Sequence, residues 1–214
     1  MATKKTGLVL LVITILCGLF YLGSQFYKKQ EVIETKKADS KNEKHLVRDH
    51  SPSIGSSMMK VHLVEFLDPE CEACAFFHPI IKGILKKYEG SIYYVVRYAP
   101  FHPNSKFAIK VLDQAKKQGK YWQTLDVLFA NVKDWGDHHH PQPEKIWGYL
   151  PDIGLDVDKI KQEMENKEVE ALIAQEIKDV ETFDIRQTPT FFLNGERLSF
   201  RSAEELEQQI KSYL

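Results

Sequence analysis

The stretch Val61-His-Leu-Val-Glu-Phe-Leu67 carries apolar side chains on both of its alternating faces. A strand of that kind must be covered on two sides, which places it in the middle of a sheet flanked by helices. Cys71-Glu-Ala-Cys74 follows closely, and from there an apolar spacing of three and four runs to Lys86–Tyr88, where Gly90 stops it. Ser91–Tyr98, rich in β-branched and aromatic residues, predicts a second strand, with Pro100 and Pro103 breaking the chain after it. Helical spacing then recurs over Ser105–Gln118, Tyr121–Val132, Pro143–Leu150, Val157–Asn166 and Glu168–Phe183. Finally Thr190–Leu193 and Arg197–Phe200 flank Asn194-Gly195, a strong hairpin signal, and Ser202 with Glu205 forms a capping box for a last helix. This order predicts an α/β sheet domain carrying an all-helical insertion over about residues 104–184.

Two segments precede that domain. Lys4 and Lys5 introduce the uncharged run Gly7–Gly23, which as a helix would extend about 25 Å, near the short limit for crossing a bilayer. Tyr21 stands where a signal-peptide cut after Gly23 would want a small residue, so residues 1–23 read as an uncleaved transmembrane anchor, with a cleaved signal as the alternative. Bulky Ile15 and Leu16 before Cys17 point to a bystander thiol rather than a lipidation site. Residues 24–57 contain seven Lys/Arg and five Asp/Glu but few large apolar side chains after Tyr27. They read as a flexible tether, with a helical stalk over Gln30–Lys44 as the other reading. The domain, 58–214, has 20 basic and 25 acidic side chains. For the whole chain, 43% hydrophobic residues and a net charge of −1 exclude a disordered or polytopic membrane protein and speak against nucleic-acid binding.

Cys71-Glu72-Ala73-Cys74 carries the chemistry. A cysteine at a helix start meets unpaired backbone N–H groups and the positive end of the helix dipole, so Cys71 should ionise below the ordinary thiol value. Cys74, one turn on, can close a disulfide with it and reopen. Cys71 is therefore the candidate nucleophile and Cys74 the resolving thiol. A zinc half-site would need two further ligands, which only the loop His138–His140 could offer, and a purely structural disulfide would close too short a loop to stabilise much. No metal and no bound cofactor are expected. Glu65 alternates with Val61, Leu63 and Leu67 and so points to an apolar face, where its pKa should rise and where it could take the proton of Cys74. A partly exposed strand glutamate is the alternative. Pro189 follows Thr188 just before the hairpin strand; a cis bond there would let the loop offer backbone groups to an extended substrate peptide. Trp122, Trp135 and Trp147 read as packing.

Together, Leu63-Val-Glu-Phe-Leu-Asp-Pro-Glu-Cys71-Glu-Ala-Cys74-Ala-Phe-Phe-His-Pro79, Arg97-Tyr-Ala-Pro-Phe-His-Pro103 and Thr188-Pro-Thr-Phe-Phe-Leu-Asn-Gly195 resemble the DsbA-like thiol–disulfide oxidoreductases of thioredoxin fold. The resemblance covers about residues 58–214. It implies Cys71 as nucleophile, Cys74 as resolving thiol, Glu65 as buried acid and Thr188-Pro189 as the substrate-docking loop. It also implies cysteine-containing secreted or envelope proteins as clients and a membrane redox partner that resets the pair. The expected place is the inner membrane, single-pass, with the domain on the periplasmic side, where disulfides persist. A non-catalytic chaperone or client-binding module on the same fold, or a metal-handling domain, are the competing classes. One departure stands out: strong oxidases of this family have Pro-His between the cysteines, whereas Glu72-Ala73 stands here, after Asp68 and Glu70. Those acids are expected to oppose the thiolate and make the disulfide less oxidising.

Overall fold

The computed structural model describes residues 45–214, His138 excepted, together with Gly18 and Gly23. The expected anchor, and the tether up to residue 44, lie outside the described residues. Among the described residues no helix is long and apolar enough to cross a membrane.

Five strands, β1 (Ser53–Ile54), β2 (Val61–Leu67), β3 (Ile92–Tyr98), β4 (Thr190–Leu193) and β5 (Glu196–Arg197), form a sheet in the order β1-β3-β2-β4-β5. β2 is central, parallel to β3 and antiparallel to β4. Helix α1 (Glu72–Lys87) is the crossover between β2 and β3. The insertion between β3 and β4 holds α2 (Ser105–Lys117), α3 (Tyr121–Ala130), α4 (Val132–Trp135), α5 (Ile146–Tyr149), α6 (Val157–Glu163) and α7 (Lys167–Thr182), and α8 (Ala203–Lys211) closes the fold. Pro143–Leu150, expected as one helix, is instead a 3₁₀ turn followed by the single turn of α5. Pro151 then opens a second 3₁₀ turn that ends on Gly154 in the left-handed region.

The alternation along β2 sorts the two layers. Val61, Leu63 and Leu67 face the larger core with Cys74, Ile81 and Ile84 of α1. Val64 and Phe66 face a smaller core with Val180 of α7, Phe183 and Ile185. Both faces are covered, as a central strand requires. The hairpin forms at Asn194 (φ +48°) and Gly195 (φ +85°), and the Asn194 side-chain oxygen accepts from the His62 backbone N–H at 2.7 Å, fixing the turn to β2. Trp135 is buried and donates to the Leu128 carbonyl, while Trp122 and Trp147 pack against Tyr94 and Phe107.

Residues 45–57 differ from the tether that their composition suggested. Leu46 is buried in the smaller core, and β1 pairs with β3. The reason lies in β3. Arg97, fully buried, donates from Nε to Glu176 (3.0 Å), from Nη2 to Asp179 (2.5 Å) and from Nη1 to the carbonyls of His45 and Leu46 (both 2.8 Å). Arg48 adds a two-pronged bond to Asp179 at 2.6 and 2.8 Å, and His50 meets Glu176 at 2.6 Å. Buried carboxylates need such partners, and this segment supplies two of them, Arg48 and His50. Arg48→Ala is expected to lower stability by about 1–2 kcal/mol, since its partner is buried but its own head is partly solvated. A urea midpoint unchanged from wild type would mean that the strap contributes nothing to the domain.

Candidate active site

Cys71 is the N-cap residue of α1, in extended conformation, so its sulfur stands at the mouth of the helix beside its first backbone N–H groups. It is 8% exposed, whereas Cys74 is fully buried. Both are thiols in the structure. The Cys71 Sγ lies 3.5 Å from the Thr188 carbonyl oxygen. The Thr188–Pro189 bond is cis, and Thr190 Oγ1 donates to the Gln187 carbonyl at 2.7 Å to brace the loop. Beside this loop runs a groove of about 430 Å³ lined by Ala73, Phe77, Pro189, Leu198 and Phe200 among others.

The two sulfurs titrate far apart. Cys71 is lowered to about 5, chiefly by the hydrogen bond from the Cys74 thiol, with further bonds from Thr188 and from the backbone N–H groups of Ala73 and Cys74 outweighing burial. Burial pushes the Cys74 thiol up, and its bond to Cys71 and the nearby charge of Glu65 push it the same way. Cys71 is thus held toward the thiolate, the direction expected of a cysteine at a helix start, and Cys74 toward the thiol.

Glu65 is 2% exposed and faces the same core as the cysteines. Burial raises its pKa from 4.5 to about 7, the Tyr94 hydroxyl, which donates to its Oε2, holding it lower, and Cys71 adding to the rise. The alternative of a partly exposed strand glutamate is therefore not what the structure shows. Tyr94 escaped sequence reasoning because Leu63, not Glu65, is its register partner on β2; the two meet diagonally on one face.

Asp68 and Glu70 stand differently from expectation. Asp68, fully buried, accepts from the backbone N–H groups of Glu70 (2.9 Å), Phe101 (2.8 Å) and His102 (3.1 Å), from Ser105 Oγ (2.5 Å) and from His102 Nδ1 (2.8 Å). Glu70 accepts from the backbone and side chain of Asn104 at 2.6 and 2.7 Å. Both carboxylates bind the loop after β3 to the cysteine turn, and the bonds that set the Cys71 titration come from other residues. Glu72 is exposed in the first turn of α1, where a negative charge suits the helix dipole. Among the described residues no three His, Cys, Asp or Glu side chains converge as a metal site. His139 and His140 are exposed, and His138 lies outside the described residues.

Comparison with known proteins gives one consistent family. The profile of the thioredoxin family matches residues 48–212. Among solved structures, the thiol–disulfide exchange protein alpha-DsbA2 from Wolbachia pipientis superposes with a TM-score of 0.69 at 21% identity, covering 83% of this chain and 95% of that one. A thioredoxin-like oxidoreductase from Silicibacter pomeroyi DSS-3 superposes at 0.66 with 22% identity, covering 78% and 94%. The shared fold is thus that of the DsbA-like proteins. A protein of Herminiimonas arsenicoxydans named Na(+)/H(+) antiporter NhaA is 28% identical over 144 residues, which is 67% of this chain. The chain spans 22% of that relative's length.

Proposed function

The chain belongs to the thioredoxin family, and we propose that it is a membrane-anchored, extracytoplasmic, DsbA-like protein thiol–disulfide oxidoreductase working through Cys71 and Cys74. The observation that carries this reading is the pairing of a sulfur at the mouth of α1, its pKa lowered to about 5, with a fully buried thiol hydrogen-bonded to it. A low-pKa thiol is both nucleophile and good leaving group.

In the reducing direction the Cys71 thiolate attacks a client disulfide, forming one S–S bond and releasing one client thiolate. Cys74 then gives up its proton and attacks the Cys71 sulfur. The mixed disulfide breaks, the second client thiolate leaves, and the protein holds a Cys71–Cys74 disulfide; two electrons have passed to the client. The oxidising direction is the same path reversed. Glu65 is the acceptor and donor of the Cys74 proton, since a buried carboxyl titrating at about 7 exchanges protons readily at neutral pH. Thr188 and Pro189 seat the client backbone next to Cys71, and the groove beside them, which Phe77, Leu198 and Phe200 line together with Arg186, Gln187 and Arg197, takes its neighbouring side chains. The clients would be secreted or envelope proteins with cysteines, a membrane redox partner would reset the pair, and the apolar run Gly7–Gly23 would hold the domain at the outer face of the inner membrane. The chemistry calls for no bound cofactor, since the electrons reside in the sulfur pair.

Equilibrating the pair against glutathione over a range of pH tests this. Above about pH 5 reduction should consume one proton, because Cys71 stays ionised, and the potential should fall by about 30 mV per pH unit; below it the slope should double. A slope that stays at the doubled value to neutral pH would show that Cys71 is no thiolate, and a pair that never exchanges with glutathione would remove the reading altogether.

A further inference from the structure

We propose that the groove beside the cis-proline loop selects client segments with a carboxylate close to the reactive cysteine, Arg197 being the residue that reads it and Arg186 a weaker second. The inference rests on the proposed function, in which this groove seats the client, and it names the class of client. Phe77, Leu198 and Phe200 line the groove together with Arg186 and Arg197, and no carboxylate side chain is among its lining residues. The domain around it has the opposite sign, with 25 acidic side chains against 20 basic ones over residues 58–214. The charge that a client meets beside Cys71 is therefore set locally, against the field of the whole domain.

Arg197 stands on the edge strand β5, and its guanidinium reaches the end of α7. Nη2 donates to the carbonyl of Phe183, the C-cap residue of that helix, and Nη1 to the carbonyl of Asp184 at 3.1 Å. Its Cζ also lies 5.2 Å from the centre of the ring of Phe192, its register partner on β4. Helix-end carbonyls and a ring face hold a cation in place without a carboxylate cancelling its charge. Two of the five N–H groups of the guanidinium are engaged in this way, and the remaining three suit a carboxylate. A side chain already fixed in one position loses little freedom on binding a ligand. Arg186 is placed differently. Its Nε meets Asp184 Oδ1 at 2.5 Å, and both side chains are largely exposed, so its charge is shared and screened. Glu72 is exposed and precedes Ala73, another lining residue; it opposes the preference and bounds its size.

The test follows reduction of synthetic peptides by the reduced full-length chain, each turnover opening the peptide disulfide to thiols and closing the Cys71–Cys74 disulfide. The peptides differ only in whether glutamate, glutamine or lysine flanks one cysteine, on its N-terminal or its C-terminal side. Every rate is divided by that of the same peptide with dithiothreitol, which removes the effect of the flanking charge on the disulfide itself. The glutamate peptide should react about fivefold faster than the lysine peptide at low salt, through a lower half-saturating concentration and not a higher limiting rate. Added salt should shrink the difference. The net charge of the domain alone would favour lysine, so equal rates or a lysine preference in wild type overturns the inference, and this needs no variant. Arg197→Gln keeps side-chain N–H donors for the two carbonyls and removes the cation. In it the glutamate-to-lysine ratio should fall toward one, whereas Arg197→Lys should retain most of it and Arg186→Gln should lower it less. A structural role alone would slow both peptides alike, and a folded Arg197→Gln protein with the wild-type ratio also overturns the inference. Failure of the underlying redox reading looks different: wild type then reduces none of the peptides, the glutamine one included.

Discussion

Cys71→Ser is expected to abolish exchange with client disulfides, by at least about 10³-fold, as removal of a covalent nucleophile does. Cys74→Ser is expected to leave the first half of the reaction intact and stop the second. The asymmetry follows from the geometry. Cys71, at the helix mouth, is the less buried of the two sulfurs and the one whose pKa is lowered, to about 5, so it is the one expected to meet a client disulfide. Cys74 is fully buried and keeps its proton until the mixed disulfide has formed. With Cys74 gone, no second cysteine among the described residues is left to attack the Cys71 sulfur, and a covalent adduct with the client should accumulate. The Cys74→Ser protein incubated with an oxidised client should therefore run as a single thiol-sensitive adduct on a non-reducing gel, and the Cys71→Ser protein should form none. An adduct through Cys74 in the Cys71→Ser protein would reverse the roles. Cys74→Ala, which leaves no donor at that position, should raise the Cys71 pKa and slow its alkylation at acid pH.

The framework around this pair was legible because it is written in local periodicities. The two-faced apolar run at Val61–Leu67, the β-branched and aromatic run Ser91–Tyr98 and the Asn194-Gly195 turn each define an element within a few residues. The cysteine pair was legible because its spacing alone fixes which face of a helix start it occupies. What escaped is what pairs across the chain. Arg97 lies in a strand that is otherwise apolar, and a charge there calls for a buried counter-charge. Glu176 and Asp179, three apart on α7, supply it from about eighty positions away, and periodicity carries no signal for such a partner. The same network recruits residues 45–57 into the domain, although their composition reads as linker. The Asp68 and Glu70 carboxylates were read by charge and proximity in sequence, yet both turn to the loop after β3. Counting charges near a cysteine says nothing of where their side chains point.

Glu65→Gln is expected to make the domain more stable and the enzyme slower. Burial holds the native carboxyl at about 7, while in the unfolded chain it titrates at its ordinary 4.5. Between those values the native state binds more protons than the unfolded one, so this residue withdraws stability as pH rises through that window. Glutamine does not titrate. The stability difference between variant and wild type should therefore move in the variant's favour by about 2–3 kcal/mol from acid to neutral pH, whatever constant offset the new amide brings. Urea unfolding at about pH 4.5 and pH 7 measures it, and a difference that stays flat would mean that Glu65 titrates normally. The rate should move the other way. Cys74 must lose its proton inside the core before it can resolve a mixed disulfide, and Glu65 is the charged group that acts on it there. Losing a positioned base slows such a step by about a hundredfold or more. The loss should fall on release of the second client thiolate, not on the first attack by Cys71, so single-turnover traces should show a normal fast phase and a retarded slow one. A variant slowed equally in both phases would show that Glu65 serves packing and not proton transfer.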